Sequence, residues 1–134
     1  MLTVRSEIEI DVPPHTAWAL VGTPEGLSSW HPAIVSSEVT GSDRTCVLAD
    51  GATLTEHIDA IDEARMSYRY TITGGPLPVE DYTSTLSIES LPGNRCKLVW
   101  SSACRPLAPE ADVRALVEGV YNAGLNNARA LLEA

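Results

Sequence analysis

The chain has 134 residues, long enough for one domain, residues 1–134, to bury most of its apolar surface without disulfide or metal staples. Nine Lys and Arg stand against eighteen Asp and Glu, a formal net charge of −9, so the summed field repels phosphate backbones and anionic headgroups and nucleic acid is not expected as a partner. Hydrophobic residues make up 44% and charged residues 20%, the balance of a folded chain rather than a disordered one; with no Phe, three Trp and four Tyr supply every large ring.

The amino-terminal "MLTVRSEIEIDV" carries charge at alternate positions and lacks the continuous apolar stretch of a signal peptide. No later run reaches membrane-spanning length, so a cytoplasmic location without membrane partners is expected. Leu2, Val4, Ile8, Ile10 and Val12 alternate with Thr3, Arg5, Glu7, Glu9 and Asp11, which predicts a half-buried strand with Ser6 as the one polar break in its apolar row. Pro13 and Pro14 then suit a first helical turn, with Trp18 and Val21 on one face. Thr23, Pro24 and Glu25 open a second short helix that ends near Trp30. Pro32 biases His31 towards extended backbone, at a junction where an exposed side chain is expected.

From 33 to 105 the pattern is of strands separated by turns. "GSD" (41–43), "ADG" (49–51), "DEA" (62–64), "GGPLP" (74–78) and "PGN" (92–94) mark five turns and imply six strands. With a period of two, Ala52, Leu54, Glu56, Ile58 and Ala60 share one face, which puts a carboxylate in an apolar row. Met66, Tyr68, Tyr70 and Ile72 form a second inward row, and Tyr82, Ser84, Leu86 and Ile88 a third. Cys96, Leu98, Trp100, Ser102 and Cys104 form the last, with Lys97 and Arg105 pointing away. The stretch after Pro109 returns to helical period, with Val113, Leu116, Val117, Val120, Tyr121, Gly124, Ala128 and Leu131 on one face. Short turns make the consecutive strands an antiparallel meander, and the long helix is the candidate cover for its apolar face. A pocket is expected where the curved sheet and the helix fail to match.

The element order, together with "WHPAI", "ADGATLTEHID", "YTITGGPLPVEDYTSTLSI", "LVWSS" and "YNAGL", resembles the SRPBCC superfamily, and within it the bacterial polyketide cyclase/dehydrase-like branch, over essentially the whole chain. The resemblance implies an α+β helix-grip fold: a seven-stranded curved antiparallel sheet wrapped around a long C-terminal helix, with two short helices after strand 1. It is similar to the pollen-allergen proteins and the plant abscisic acid receptors, which hold one small hydrophobic molecule between sheet and helix. By that likeness "LADGATLTE" (48–56) matches the receptors' gate and "GGPLPVEDY" (74–82) their latch, without their "SGLPA" and "HRL" wording. Glu56, Tyr82 and His31 fall where the receptors place a pocket glutamate, tyrosine and lysine.

Buried carboxylates need a partner, a water or a raised pKa. Glu56 is therefore the candidate acid/base residue of a pocket; as a plain ion-pair partner it would meet Arg44 or Arg69. Trp30, His31, Leu54, Tyr68, Tyr70, Tyr82, Trp100, Val117, Tyr121 and Gly124 are the candidate ligand-binding residues, since buried tyrosine hydroxyls converging on a carboxylate suit an oxygenated apolar guest. Gly124 reads either as close approach of helix to sheet or as room for the guest. His57 and Asp81 have outward parity, and His15 sits in a first helical turn. Cys46, Cys96 and Cys104 are odd in number, with no CxxC pair, and read as buried reduced thiols. No metal constellation or cofactor fingerprint occurs. The expected function is enclosure of a small hydrophobic, partly oxygenated ligand that the protein is a candidate to cyclise, dehydrate or isomerise. A non-catalytic carrier or sensor and a co-chaperone-like interaction domain are the alternatives, in a monomer or homodimer.

Overall fold

A computed structural model of the chain describes residues 1–134. The elements run β1 (Leu2–Ile10), α1 (Pro14–Val21), a single 3₁₀ turn (Pro24–Gly26), α2 (Leu27–Trp30), β2 (Ile34–Thr40), β3 (Asp43–Leu48), β4 (Thr53–Asp62), β5 (Ser67–Gly74), β6 (Val79–Leu91), β7 (Arg95–Pro106) and α3 (Glu110–Leu132). The strands form one curved seven-stranded antiparallel sheet in the order β1-β7-β6-β5-β4-β3-β2, with the 23-residue α3 across it. This is the helix-grip architecture that the element order implied.

The inward rows supply the core. Leu2, Val4 and Ile10 of β1, Leu98, Trp100 and Cys104 of β7, and Leu86 of β6 meet Val113, Val117, Leu125 and Ala128 of α3 in one apolar cluster. Burying such side chains contributes roughly 1.5–3 kcal/mol each, before ordering entropy is subtracted. All three cysteines are free and buried. No helix is long and apolar enough to cross a membrane.

Several positions depart from simple periodicity. Ala60, expected inward with Glu56, is exposed, because the β4–β5 register shifts between Ile58 and Ala60 and an extra residue reverses the alternation. Met66 is not part of β5; it lies in the preceding turn at φ 52°. Leu116 and Leu131, expected on the buried helix face, are 41% and 48% exposed, while Leu125 is buried. The stripe of α3 that meets the sheet is narrower than the apolar stripe in its sequence, because α3 packs on β1 and β7 rather than centrally. The short helical elements cover β2 instead, and the space between the two covers is where the site forms.

Candidate functional site

An apolar groove of about 460 Å³ opens at one end of the sheet. Its walls are the two turns after β3 and β5, the segment after α2, and the exposed shoulder of α3; Ile34, Leu48, Leu54, Leu77, Leu116 and Val120 line it. Leu54, Leu77, Ile34, Val120 and His31 also line a smaller inner cavity of about 40 Å³, whose other walls include Glu56, Tyr70, Tyr82 and Trp100. Groove and cavity therefore stand back to back across these shared walls, with Glu56 and the tyrosine hydroxyls on the inner side. A separate open cleft of about 400 Å³ lies by the 3₁₀ turn and the β4 bulge, with Glu25 and Asp59 as its titratable groups, and shares no wall with the Glu56 cavity.

Glu56 is 3% exposed. The β3–β4 hairpin turns at 49–52 and places Arg44 directly opposite it. Arg44 is fully buried; its Nε donates to Glu56 Oε1 at 2.7 Å, and its Nη1 donates to the Pro24 carbonyl at 2.9 Å and to Tyr68 Oη at 3.1 Å. The guanidinium also lies over the Tyr70 ring, 4.9 Å from its centroid. Burial opposes the charge of Arg44, but Tyr68 and Glu56 beside it more than offset that and hold its pKa above the ordinary arginine value. Cys46 Sγ donates to the same Oε1 at 3.5 Å, and burial together with the Glu56 charge pushes this thiol up to about 12. Both bonds to Glu56 fall on Oε1, which leaves Oε2 without a protein donor. Of the two arginines weighed as partners, Arg69 is elsewhere, 3.9 Å from Asp59 on the outer face.

A chain of hydroxyls faces this ion pair. Tyr82 and Tyr121 share a hydrogen bond, Tyr121 meets Ser84 Oγ at 3.0 Å, and Ser84 donates to the Ser101 carbonyl at 3.0 Å. Trp100 Nε1 donates to both Tyr70 Oη and Ser84 Oγ at 3.1 Å. Trp100 stacks on Tyr121 with centroids 4.5 Å apart, which fixes the helix side of the chain. Burial raises the pKa of Tyr70, Tyr82 and Tyr121, so all three phenols keep their protons at neutral pH.

His31, expected to be exposed, is 2% exposed. The Ala33 N–H donates to Nδ1 at 3.1 Å, so the ring proton sits on Nε2, which donates to the Val120 carbonyl at 2.8 Å. Burial lowers its pKa and the ring is neutral. Gly124 permits this packing: a Cβ there would lie 2.6 Å from His31 Cδ2 and 3.0 Å from Trp100 Cζ3. The glycine serves close approach, one of its two readings.

Of the sequence-derived candidates, His31, Leu54, Glu56, Tyr70, Tyr82 and Trp100 line the inner cavity. Tyr121 stands behind Tyr82, and Tyr68 behind Glu56 on Arg44. Trp30 packs against His31 and Trp100, and Val117 lies in the core; neither lines the cavity or the groove. Sequence reasoning missed Arg44 as the settled partner, Ser84 as the relay, and the Leu116 and Val120 wall. Arg44 was within reach: a hairpin centred on Asp50 pairs it with Glu56.

A family model described as polyketide cyclase / dehydrase and lipid transport matches residues 1–133. The chain belongs to that family. Among solved structures, a member of the same fold, the protein XoxI from Bacillus cereus, is 27% identical, with a TM-score of 0.96 over 98% of this chain and 96% of that one. A putative uncharacterized protein from Bacillus thuringiensis is also 27% identical, with a TM-score of 0.96 over 99% and 100%. Ara h 8.0201, at 24% identity and a TM-score of 0.77 over 98% and 97%, shares the fold. No curated protein sequence matches the chain. Within this polyketide cyclase/dehydrase family fold, the buried ion pair and the hydroxyl chain belong to the same inner end of the sheet–helix space.

Proposed function

We propose that this protein encloses a small hydrophobic, partly oxygenated molecule, its apolar body in the groove and its oxygenated end against Glu56, Tyr70 and Tyr82. The observation that carries the reading is that the 460 Å³ apolar groove shares five lining residues, His31, Ile34, Leu54, Leu77 and Val120, with an inner cavity in which a carboxylate oxygen lacks a protein donor. Pockets of roughly 300–1,000 Å³, mostly apolar with a few converging polar groups, are the usual form of small-molecule sites. The family description, which names polyketide cyclase, dehydrase and lipid transport, points to guests of this kind. In this reading residues 1–134 act as one ligand-binding domain in the cytoplasm, as a monomer or homodimer.

If the guest is converted, Glu56 is the group to act, as a carboxylate base poised beside Arg44. Cyclisation, dehydration or isomerisation would draw on orientation, which alone can lower a barrier by several kcal/mol. A non-catalytic carrier or sensor is the second reading. It is favoured by the state of the remaining groups: both His31 ring nitrogens are engaged and the tyrosines hold their protons tightly, so no second acid or base stands ready at neutral pH.

Native mass spectrometry of the protein purified from its own cells tests the proposal. A stoichiometric small molecule released on denaturation is expected; repeated recovery of the bare chain alone would sink it. Incubation with the released compound then separates the readings. Conversion that is lost in Glu56→Gln, while the compound is still retained, marks an enzyme. Unchanged compound on the unmodified protein marks a carrier.

A further inference from the structure

We infer that the leading end of the guest is a hydroxyl group, and that the inner cavity selects it over a ketone, an ether or a carboxylate. The inference rests on the reading that groove and cavity together hold an apolar molecule, and it names the chemistry of that molecule's buried end. Size comes first. A cavity of about 40 Å³ is small beside the groove of about 460 Å³. It has room for a small polar group and not for an apolar body, so the rest of the guest stays in the groove.

The direction of the protons decides which oxygen. A carbonyl only accepts, so the Ser84 proton goes to Ser101. With that single proton committed, the bond between Ser84 and Tyr121 must be donated by Tyr121, and the bond between Tyr121 and Tyr82 must be donated by Tyr82. The hydroxyl chain therefore runs one way, from Tyr82 to the Ser101 carbonyl. Tyr82 spends its proton on Tyr121 and offers only lone pairs to the cavity it lines.

Tyr70 is the opposite case. It accepts from Trp100 Nε1, and its own proton has Tyr82 Oη beside it as a protein acceptor that a guest would displace. Glu56 Oε2, with no protein donor, is a second acceptor. The inner end thus presents one donor, Tyr70 O–H, and two acceptors, Glu56 Oε2 and Tyr82 Oη.

A hydroxyl is the smallest group that answers both kinds, donating to an acceptor while accepting from Tyr70. A ketone or ether satisfies Tyr70 but leaves the carboxylate oxygen desolvated and unpaired. A carboxylate brings a second anion against Glu56. An ammonium has no lone pair for the Tyr70 proton.

The test is a matched series on the unmodified protein by isothermal titration calorimetry: 2-naphthol, 2-methoxynaphthalene, 2-acetylnaphthalene and 2-naphthoate. The expected result is at least tenfold tighter binding of 2-naphthol than of each of the other three. Tyr70→Phe should weaken 2-naphthol and 2-acetylnaphthalene together, since both accept from it. Glu56→Gln turns the free oxygen into an amide donor, because the amide oxygen must face Arg44; it should narrow or reverse the preference for the alcohol over the ketone. Equal binding of naphthol, ether and ketone overturns the hydroxyl inference and leaves the pocket standing. Binding of none of the four overturns the pocket reading, and this inference with it. The series on the unmodified protein and Tyr70→Phe keep the inference testable should Glu56→Gln fold poorly.

Discussion

On one side of the inner cavity the polar groups carry full charges; on the other they are neutral hydroxyls. The Arg44–Glu56 corner is held by a charge-assisted bond of 2.7 Å between residues paired across a tight hairpin. The wall of Tyr82, Tyr121 and Ser84 is assembled from β6 and α3, elements far apart in the chain, and carries no net charge. The difference teaches where the site can be altered. An unpaired buried ion is expensive to the fold, whereas one missing hydroxyl leaves neutral neighbours that tolerate its loss. On the proposed function, selectivity is thus open to change on the hydroxyl wall, while the charged corner is bound up with folding.

Breaking the corner gives the largest expected effect. Arg44→Met leaves Glu56 buried without its partner and should cost about 3–5 kcal/mol, seen as a fall in the urea midpoint. Adding Glu56→Leu should recover most of it, because an apolar pair avoids the desolvation of both ions. No recovery in the double variant would show that Arg44 acts through its bonds to Pro24 and Tyr68 rather than through charge balance.

Gly124→Ala comes next. The added methyl meets the His31 ring, which two hydrogen bonds hold in place, so it cannot turn away cheaply. Overpacking of about 1–3 kcal/mol is expected, partly offset by the roughly 1 kcal/mol that favours Ala over Gly within a helix. A net loss in thermal stability checks it; a net gain would mean that helix and sheet separate freely there. Tyr121→Phe strands the Tyr82 proton and should cost about 1 kcal/mol, measured in the same denaturation series. A loss as large as that of Arg44→Met would erase the contrast between the two sides.

His31 gives a pH test. Its folded pKa lies below the unfolded value of about 6.5, because burial disfavours the imidazolium. Below that pH the unfolded chain binds a proton that the folded chain refuses, so stability is full above about pH 6.5 and falls as pH drops towards the folded pKa. His31→Gln should flatten the profile in that window. Smallest of all for stability, Leu116→Glu on the groove rim should shift folding by no more than about 0.5 kcal/mol. It should nonetheless weaken an apolar guest severalfold in the titration, which separates the groove's proposed binding role from its part in the fold.

Much of this was legible in the chain. The alternation of β1, the turn residues at 41–43, 49–51 and 92–94, and the long helical stripe after Pro109 each report a local preference, and local preferences add up to the element order. Glu56 stood out because a carboxylate in an apolar row breaks the period, and Tyr70, Tyr82 and Trp100 shared the inward parity that brought them to the cavity. The exposed Ala60 was not legible, since a bulge is set by the neighbouring strand and not by the residues that carry it.

By itself, then, the sequence determined which face of each strand is apolar, where the chain turns, and that an acid lies among core residues, because these follow from spacing along the backbone. Tertiary structure alone decided that His31 is buried against Val120, 89 residues away, that Arg44 rather than Arg69 neutralises Glu56, and that the Ser84 hydroxyl donates to the Ser101 carbonyl. Those facts depend on distances across the sheet–helix space, and periodicity tells which side a residue faces without telling what it meets there.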